Sequence, residues 1–302
     1  MAGIERLIDS PLVLNIVTAI AKVAPPRLGY SIASITARWI ASRQDSMPVR
    51  AIRSNQWMIA GEKTLPQGLE EATRVVLQNS ARSIFELYHY FQNPEAIGQL
   101  YSIDPSFRTI FERPEFDGRG LVLAGLHMVG FDLGLQWLCM NQFKPLVLTI
   151  PDPQGGRRLE YDTRMQSGMN IVPGSVKGLL RAIRHLQQGG MVVTGIDHPV
   201  PEPDPRPRFF GRPAALPAHY VFLALKVHVP VVVIVSRLEE DGKHHIYASA
   251  PIEMDPHPDR TDELRINAEK VLSVAEGIIR QAPLQWLLSL PVWPDIINEV
   301  PE

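Results

Sequence analysis

The stretch Leu121-Val122-Leu123-Ala124-Gly125-Leu126-His127-Met128-Val129-Gly130-Phe131-Asp132 decides the reading of this chain. Its first four residues are apolar and bounded by glycine, the pattern of a short buried strand. From Val129 to Met140 the apolar residues fall at helical spacing, so a helix follows the strand. His127 lies where one gives way to the other. His127 and Asp132 are five residues apart, which on a continuous helix is about 500°, or roughly 140° around the axis. They share no helical face, and can meet only if His127 lies in the turn and Asp132 in the first helical turn. Asp132 then accepts a hydrogen bond from Nδ1–H of His127, which fixes the tautomer and leaves Nε2 as a general base. This is the His–Asp half of a serine triad, with the substrate supplying its own hydroxyl. The same spacing also suits a histidine satisfied for structural reasons, and the pair by itself leaves both readings open.

Outward from this segment the pattern repeats. Short apolar runs at 146–150, 170–172, 191–196, 231–235 and 245–248 read as strands. Helical patterns at 157–167, 176–188, 217–227 and about 262–280 lie between or after them. Alternation of this kind predicts an α/β fold, with a largely parallel central sheet flanked by helices. Residues 1–100 read as helical, with Leu69 to Phe91 the clearest period and prolines at 11, 25, 26, 48, 66 and 94 marking helix boundaries. The expected division is therefore a helical region over 1–100 and an α/β domain over 101–302. The proline-rich stretch Pro199 to Pro207 follows a strand directly and reads as a stiff loop at the C-terminal edge of the sheet, where α/β folds commonly place ligands.

Composition narrows the function. Lys plus Arg is 30 against 32 for Asp plus Glu, a net charge of −2, which argues against a general nucleic-acid binder. The single cysteine, Cys139, rules out an internal disulfide and a four-cysteine zinc site, and its apolar helix suggests core rather than nucleophile. No uncharged apolar run approaches the roughly 20 residues that span a bilayer. The first 53 residues are basic, seven Lys and Arg against three Asp and Glu, and are mixed with Ile32, Ile35, Trp39 and Ile40. This segment reads equally as a membrane-surface element or as two core helices with solvated arginines. His244-His245 and Asp255 to Asp259 read as turns rather than metal sites. A Gly-x-Ser-x-Gly elbow, a dinucleotide fingerprint and a phosphate-binding P-loop are all missing.

Several blocks in order carry a resemblance. His127-x₄-Asp132 after an apolar strand is followed by Arg164-Met165-Gln166-Ser167-Gly168, then by Val192-Val193-Thr194-Gly195-Ile196-Asp197. Phe209-Phe210-Gly211-Arg212-Pro213-Ala214, Val229-Pro230-Val231-Val232 and Ala282-Pro283-Leu284-Gln285-Trp286 complete the series. Over about residues 70–295 this resembles the lysophospholipid acyltransferase superfamily, in its branch of lipid A late acyltransferases and phosphatidylinositol mannoside acyltransferases. The tail from Leu287 to Trp293 lacks the aromatic and basic residues that often follow Gln-Trp in that branch.

The resemblance implies a glycerol-3-phosphate acyltransferase-like fold. It also implies transfer of a fatty acyl group from an acyl thioester, on coenzyme A or an acyl carrier protein, to a hydroxyl of a glycolipid or lysolipid. His127 is then the base and Asp132 its orienting carboxylate. Asp197 resembles the acidic residue that works beside the histidine in the mannoside branch, with a salt bridge or helix cap as its other reading. Arg164 and Arg212, beside Phe210 and Gly211, are the implied substrate-binding residues; Arg206 and Arg208 are weaker candidates for the same phosphate, with a solvated charged loop as their other reading and the better one for Arg206. No cofactor beyond the thioester cosubstrate and no metal is expected. The partners are a membrane surface, the lipid acceptor and the acyl donor, at the cytoplasmic face of the cell membrane without a span. The competing expectations are a non-catalytic lipid-binding protein on the same fold and a lipid esterase.

Overall fold

A computed structural model of the chain describes residues 18–62, 65–91, 93–112, 118–141, 143–149, 156–166 and 168–301. The first 17 residues of the basic N-terminal segment lie outside these, as do Ile150 and Ser167 at the ends of an expected strand and helix.

Among the described residues the helical third includes α1 (Pro26–Ala41), α2 (Met47–Ile59), α3 (Pro66–Tyr90) and α4 (Pro94–Leu100), with residues 18–23 also helical. Each of α1 to α4 carries proline within its first two positions, where the missing N–H is no loss and the fixed φ suits the helix. There follow β1 (Tyr101–Ile103), α5 (Pro105–Phe111), β2 (Leu121–Gly125), α6 (Phe131–Met140), β3 (Leu146–Thr149), α7 (Gly156–Gln166), β4 (Asn170–Pro173), α8 (Val176–Gln187) and β5 (Met191–Gly195). The chain continues through the two-residue hairpin strands β6 (Arg208–Phe209) and β7 (Arg212–Pro213), then α9 (His219–Val227), β8 (Val231–Leu238), β9 (His244–Ala248) and α10 (Arg260–Gln281).

Among the described residues, seven strands form one sheet in the order β1-β9-β8-β2-β5-β3-β4. Every neighbouring pair is parallel except β8 with β9, which form a hairpin. The fold is α/β, with a mostly parallel central sheet and a helical N-terminal region. All five residues of β2 are buried, which is why the strand reads as a continuous apolar run rather than an alternating one. Successive side chains still leave on opposite faces. Val122 and Ala124 pack with Val192, Val233, Tyr220 and Ala275, whereas Leu121 and Leu123 pack with Val193, Val232, Leu133 and Leu138. Burying a side chain of this size is worth about 1.5–3 kcal/mol, so the two clusters dominate the stabilisation.

One strand is new and one sequence expectation changes. Tyr101–Ile103 is an edge strand, too short to be seen by periodicity, and it pairs with β9. His244, read as part of a turn, instead begins β9 and is fully buried against Glu86 of α3, with Nε2···Oε2 at 2.8 Å. The helical region is joined to the rest by specific bonds. Asn55 of α2 donates to the carbonyls of Leu288 (3.0 Å) and Leu290 (2.9 Å). Gln56 donates to the Pro283 carbonyl at 3.0 Å, and Asn79 of α3 to that of Leu284 at 2.8 Å. These bonds cross the boundary that composition suggests near residue 100.

Candidate active site

Parallel pairing of β2 with β5 builds the site. Gly125 is in register with Gly195, so the residues two places further on, His127 and Asp197, emerge side by side at the C-terminal edge of the sheet. His127 Nδ1 lies 2.6 Å from Asp197 Oδ1, and the His127 backbone N–H donates to Oδ2 at 2.8 Å. A third donor, the indole Nε1–H of Trp286, reaches Oδ2 at 2.7 Å. Asp197 is wholly buried, while the His127 side chain keeps about 30% of its surface open. No described residue takes His127 Nε2. Gly195 leaves room for this arrangement, since a Cβ there would stand 2.8 Å from His127 Cε1.

The expected hydrogen bond from His127 to Asp132 is therefore not the one formed. Asp132 does sit in the first turn of α6, as the spacing requires. From there its carboxylate faces α7, where Arg164 donates to Oδ1 through Nε at 2.9 Å and also through Nη2. The physical reason is that Asp197 reaches His127 with the ladder register already fixed, whereas Asp132 begins a helix that turns away. The turn between them is held at both ends. Gly130, with φ of +75°, caps α6, and its carbonyl accepts from the Tyr101 hydroxyl at 2.6 Å. Its N–H donates to Ser83 Oγ of α3 at 3.1 Å.

Electrostatics follow from these contacts. Burial would push the Asp197 carboxyl up, but the charge of His127 and the bonds from His127 and Trp286 outweigh it and hold the group below the usual range. Burial would likewise push His127 down. Asp197, by charge and by hydrogen bond, outweighs that and raises the imidazole, with Asp132 adding to the rise and Arg164 opposing it. The site thus holds an imidazole of fixed tautomer, a buried counter-charge behind it and an open nitrogen in front, which is the equipment of a general base.

The segment after α10 locks this loop in place. Met128 and Trp286 form an antiparallel bridge, Leu287 N–H donates to the His127 carbonyl at 2.8 Å, and Val129 N–H to that of Gln285 at 3.0 Å. The Gln285 amide pairs with both backbone groups of Leu238, at 2.8 and 2.9 Å. Sequence quotes Gln285-Trp286 as a block but gives Trp286 no role. An indole buried with a polar N–H needs an acceptor, and Asp197 is that acceptor.

The other candidates fall elsewhere. Arg212 is bound to Glu62, through Nε at 2.8 Å and Nη2 at 3.0 Å, and to Glu299 at 3.2 Å. Phe210 carries the Arg280 guanidinium over its ring, 4.7 Å from the centroid, and Gly211 turns the hairpin between β6 and β7 with φ of +83°. None of these three has a described bond to the His127 cluster. Arg206 pairs with Asp295 at 3.1 Å, and Arg208 Nη1 donates to the Gly211 carbonyl at 3.1 Å. Burial pushes the Cys139 thiol up to about 11, so little of it is thiolate at neutral pH. Among the described residues no group of three or more His, Cys, Asp or Glu is placed to hold a metal ion.

The fold and site together define an α/β protein that presents a carboxylate-held histidine beside its strand ends. The comparison with protein families is more specific. The model of the bacterial lipid A biosynthesis acyltransferase family matches residues 9–294, and the chain belongs to that family. Its activity is therefore that of a lipid-biosynthetic acyltransferase, with a lipid acceptor and an acyl donor. No curated protein matches the chain.

Proposed function

We propose that this chain moves a fatty acyl group from an acyl thioester, on coenzyme A or an acyl carrier protein, to a hydroxyl of a glycolipid or lysolipid. His127 Nε2 takes the acceptor's hydroxyl proton as its oxygen attacks the thioester carbonyl. The C–O bond forms, the tetrahedral intermediate collapses, the C–S bond breaks, and the imidazolium returns its proton to the departing sulfur. Asp197 orients the ring and balances the imidazolium. General-base action of this kind typically contributes about 10²–10⁴-fold. The observation that carries the reading is the 2.6 Å contact of His127 Nδ1 with buried Asp197, with Nε2 left to the substrate side. Asp132 and Arg164 form a charge pair beside the base, at 27% and 15% side-chain exposure, and set the field in which it titrates.

The reaction takes place at a membrane surface. Leu28, Ile32, Ile35 and Trp39 recur along one face of α1, and are 53%, 42%, 65% and 42% exposed. Arg27, Arg38 and Arg43 accompany them, and the Arg43 guanidinium stands over the Trp39 ring at 5.0 Å. An apolar stripe with basic flanks suits a helix lying in the headgroup layer. No helix among the described residues is long and apolar enough to cross a bilayer. A thioester donor made in the cytoplasm places the site at the cytoplasmic face.

The test uses the purified full chain with a long-chain acyl-CoA and a lipid extract. Thiol release should rise when acceptor lipid is added, and His127→Ala should abolish the rise. Release that ignores every acceptor lipid would make the protein an esterase. Acylation unchanged in His127→Ala would remove the catalytic assignment and favour lipid binding alone. Flotation with vesicles tests the surface reading: Ile35→Asp should lose most of the bound fraction.

A further inference from the structure

A cavity of about 250 Å³ lies among α1, α2 and α3, away from His127, lined in part by Arg38, Arg53, Arg74, Thr73, Gln44 and Glu70. It far exceeds the roughly 10–15 Å³ that one water requires. Three arginines and a single acidic residue are among its lining, and Gln44 already donates to that Glu70 at 2.5 Å. Arg74 is partly committed to Glu71 on its own helix, with Nε–H to Oε2 at 2.8 Å. Arg53 is 8% exposed and donates through Nη2 to the Pro301 carbonyl, an uncharged partner. Arg38 is exposed and has no hydrogen bond or ion pair from its guanidinium among the described residues. Thr73 is 2% exposed, and its buried hydroxyl has no hydrogen-bond partner among the described residues. A cationic cavity with a nearly buried arginine and an orphaned hydroxyl is short of one thing, an oxyanion.

We infer that this cavity binds the phosphate of an anionic membrane lipid. Position selects the source. On α1, Arg38 directly precedes Trp39 and lies roughly 100° around the axis from it, so the cavity opens beside the apolar stripe. A helix lying in the headgroup layer carries the cavity to phosphate depth, where tethered phosphate is concentrated and free phosphate is not. Arginine suits the role because its planar donors match phosphate oxygens in pairs. The inference rests on the membrane-surface reading of α1 and is independent of the acyl-transfer chemistry.

The experiment uses the full chain and two probes. In the first, phosphatidylcholine vesicles with and without 20 mol% phosphatidylglycerol are floated with wild type, Arg38→Gln and Arg27→Gln. The two variants lose the same charge from the same helix, but Arg27 lies outside the cavity. Arg38→Gln should lower affinity for the phosphatidylglycerol vesicles about tenfold, as expected for loss of a charged hydrogen-bonding partner, while Arg27→Gln changes it much less. Thr73→Val should fold at least as stably as wild type and also bind these vesicles more weakly. Equal effects of Arg38→Gln and Arg27→Gln would reduce the cavity to general surface charge and overturn the inference. In the second arm, inorganic phosphate is compared with chloride at matched ionic strength by thermal unfolding. Stabilisation of wild type by phosphate, without any vesicle difference between Arg38→Gln and Arg27→Gln, would overturn the lipid assignment in favour of a soluble phosphate ligand. Loss of all vesicle binding in Ile35→Asp, with the phosphate response kept, separates failure of membrane contact from failure of the cavity.

Discussion

Asp197→Asn is the sharpest test of the site. The wild-type carboxylate accepts three N–H groups, two on Oδ2 and one on Oδ1. In asparagine one oxygen becomes an NH₂. That NH₂ cannot face the Oδ2 side, because the His127 backbone N–H and the Trp286 indole N–H both point there. The amide oxygen therefore keeps that place, and the NH₂ turns to His127 Nδ1, 2.6 Å away in the parent. Nδ1 must then accept, the ring proton moves to Nε2, and the nitrogen that should take the acceptor's proton is already protonated. The imidazolium formed in the reaction also loses its buried counter-charge. The loss should be about 10³-fold in kcat, or ~4 kcal/mol, within the usual range for general-base catalysis. Thiol release at saturating acyl-CoA and acceptor lipid reads it, with circular dichroism and Trp fluorescence confirming the fold. A kcat within tenfold of wild type would refute the orienting role and leave Asp197 a structural acceptor for Trp286.

Three further outcomes follow from the same contacts. Arg164 lowers and Asp132 raises the proton affinity of His127, so the ascending limb of kcat/KM against pH should move to higher pH in Arg164→Gln and to lower pH in Asp132→Asn; limbs that coincide with wild type in both would remove Arg164 and Asp132 from the field of the base. Gly195→Ala places a Cβ 2.8 Å from His127 Cε1, so activity should fall at least tenfold by displacement of the ring, while unfolding stays cooperative; full activity would show that the ring moves without consequence. His219 is held neutral by burial, down to about 4, with Nε2 2.7 Å from Thr194 Oγ1. The unfolded chain then binds the extra proton between about pH 6.5 and 4, so the contribution of His219 is complete above pH 6.5 and shrinks as pH falls. Between pH 7.5 and 5 it amounts to about 2 kcal/mol. Urea unfolding should show that loss in wild type and a flatter dependence in His219→Gln, and parallel profiles would contradict it.

The sheet was legible because its strands are buried on both faces and so stand out as apolar runs between glycine and helical segments. The helices were legible from their period, with ends within two residues of the observed ones for α6, α8, α9 and α10. What periodicity could not show is pairing. His127 and Asp197 are 70 residues apart, and only the β2–β5 register puts them at equal distance past paired glycines. Without the register, the nearer carboxylate, Asp132, was the natural partner. Glu86 carries a signal of its own. It sits inside Ile84-Phe85-Glu86-Leu87-Tyr88 on a helix whose neighbours are core, and a buried acid requires partners. Those partners are Arg82, Tyr30 and His244, at 2.7, 3.0 and 2.8 Å. The exposed face of α1 was visible as composition, but the choice between core helix and surface helix needed the packing of Gly29 and Ala37, which turns the opposite side inward.

Asp132 nevertheless has a reason to lie five residues after the histidine although it does not hold it. If Asp132 and Asp197 both acted on His127 unopposed, two negative charges would raise its proton affinity and leave less of it neutral at the working pH. Arg164 counters one of them. Its bonds to Asp132 oppose that carboxylate's field without touching the ring, so under the proposed mechanism the base keeps one tight counter-charge and one compensated pair. A base works best when its affinity for the proton lies near the ambient pH. The spacing of His127 and Asp132 therefore sets a distance for a through-space charge, and the chain places the hydrogen-bonded carboxylate on another strand, where the ladder fixes its position more firmly than a helix start does. The C-terminal segment completes the arrangement by binding both partners at once, Trp286 to Asp197 and Leu287 to the His127 carbonyl. Shifting that segment would move the base and its counter-charge together, so damage there should lower the rate constant more than it alters the acidity of the imidazole.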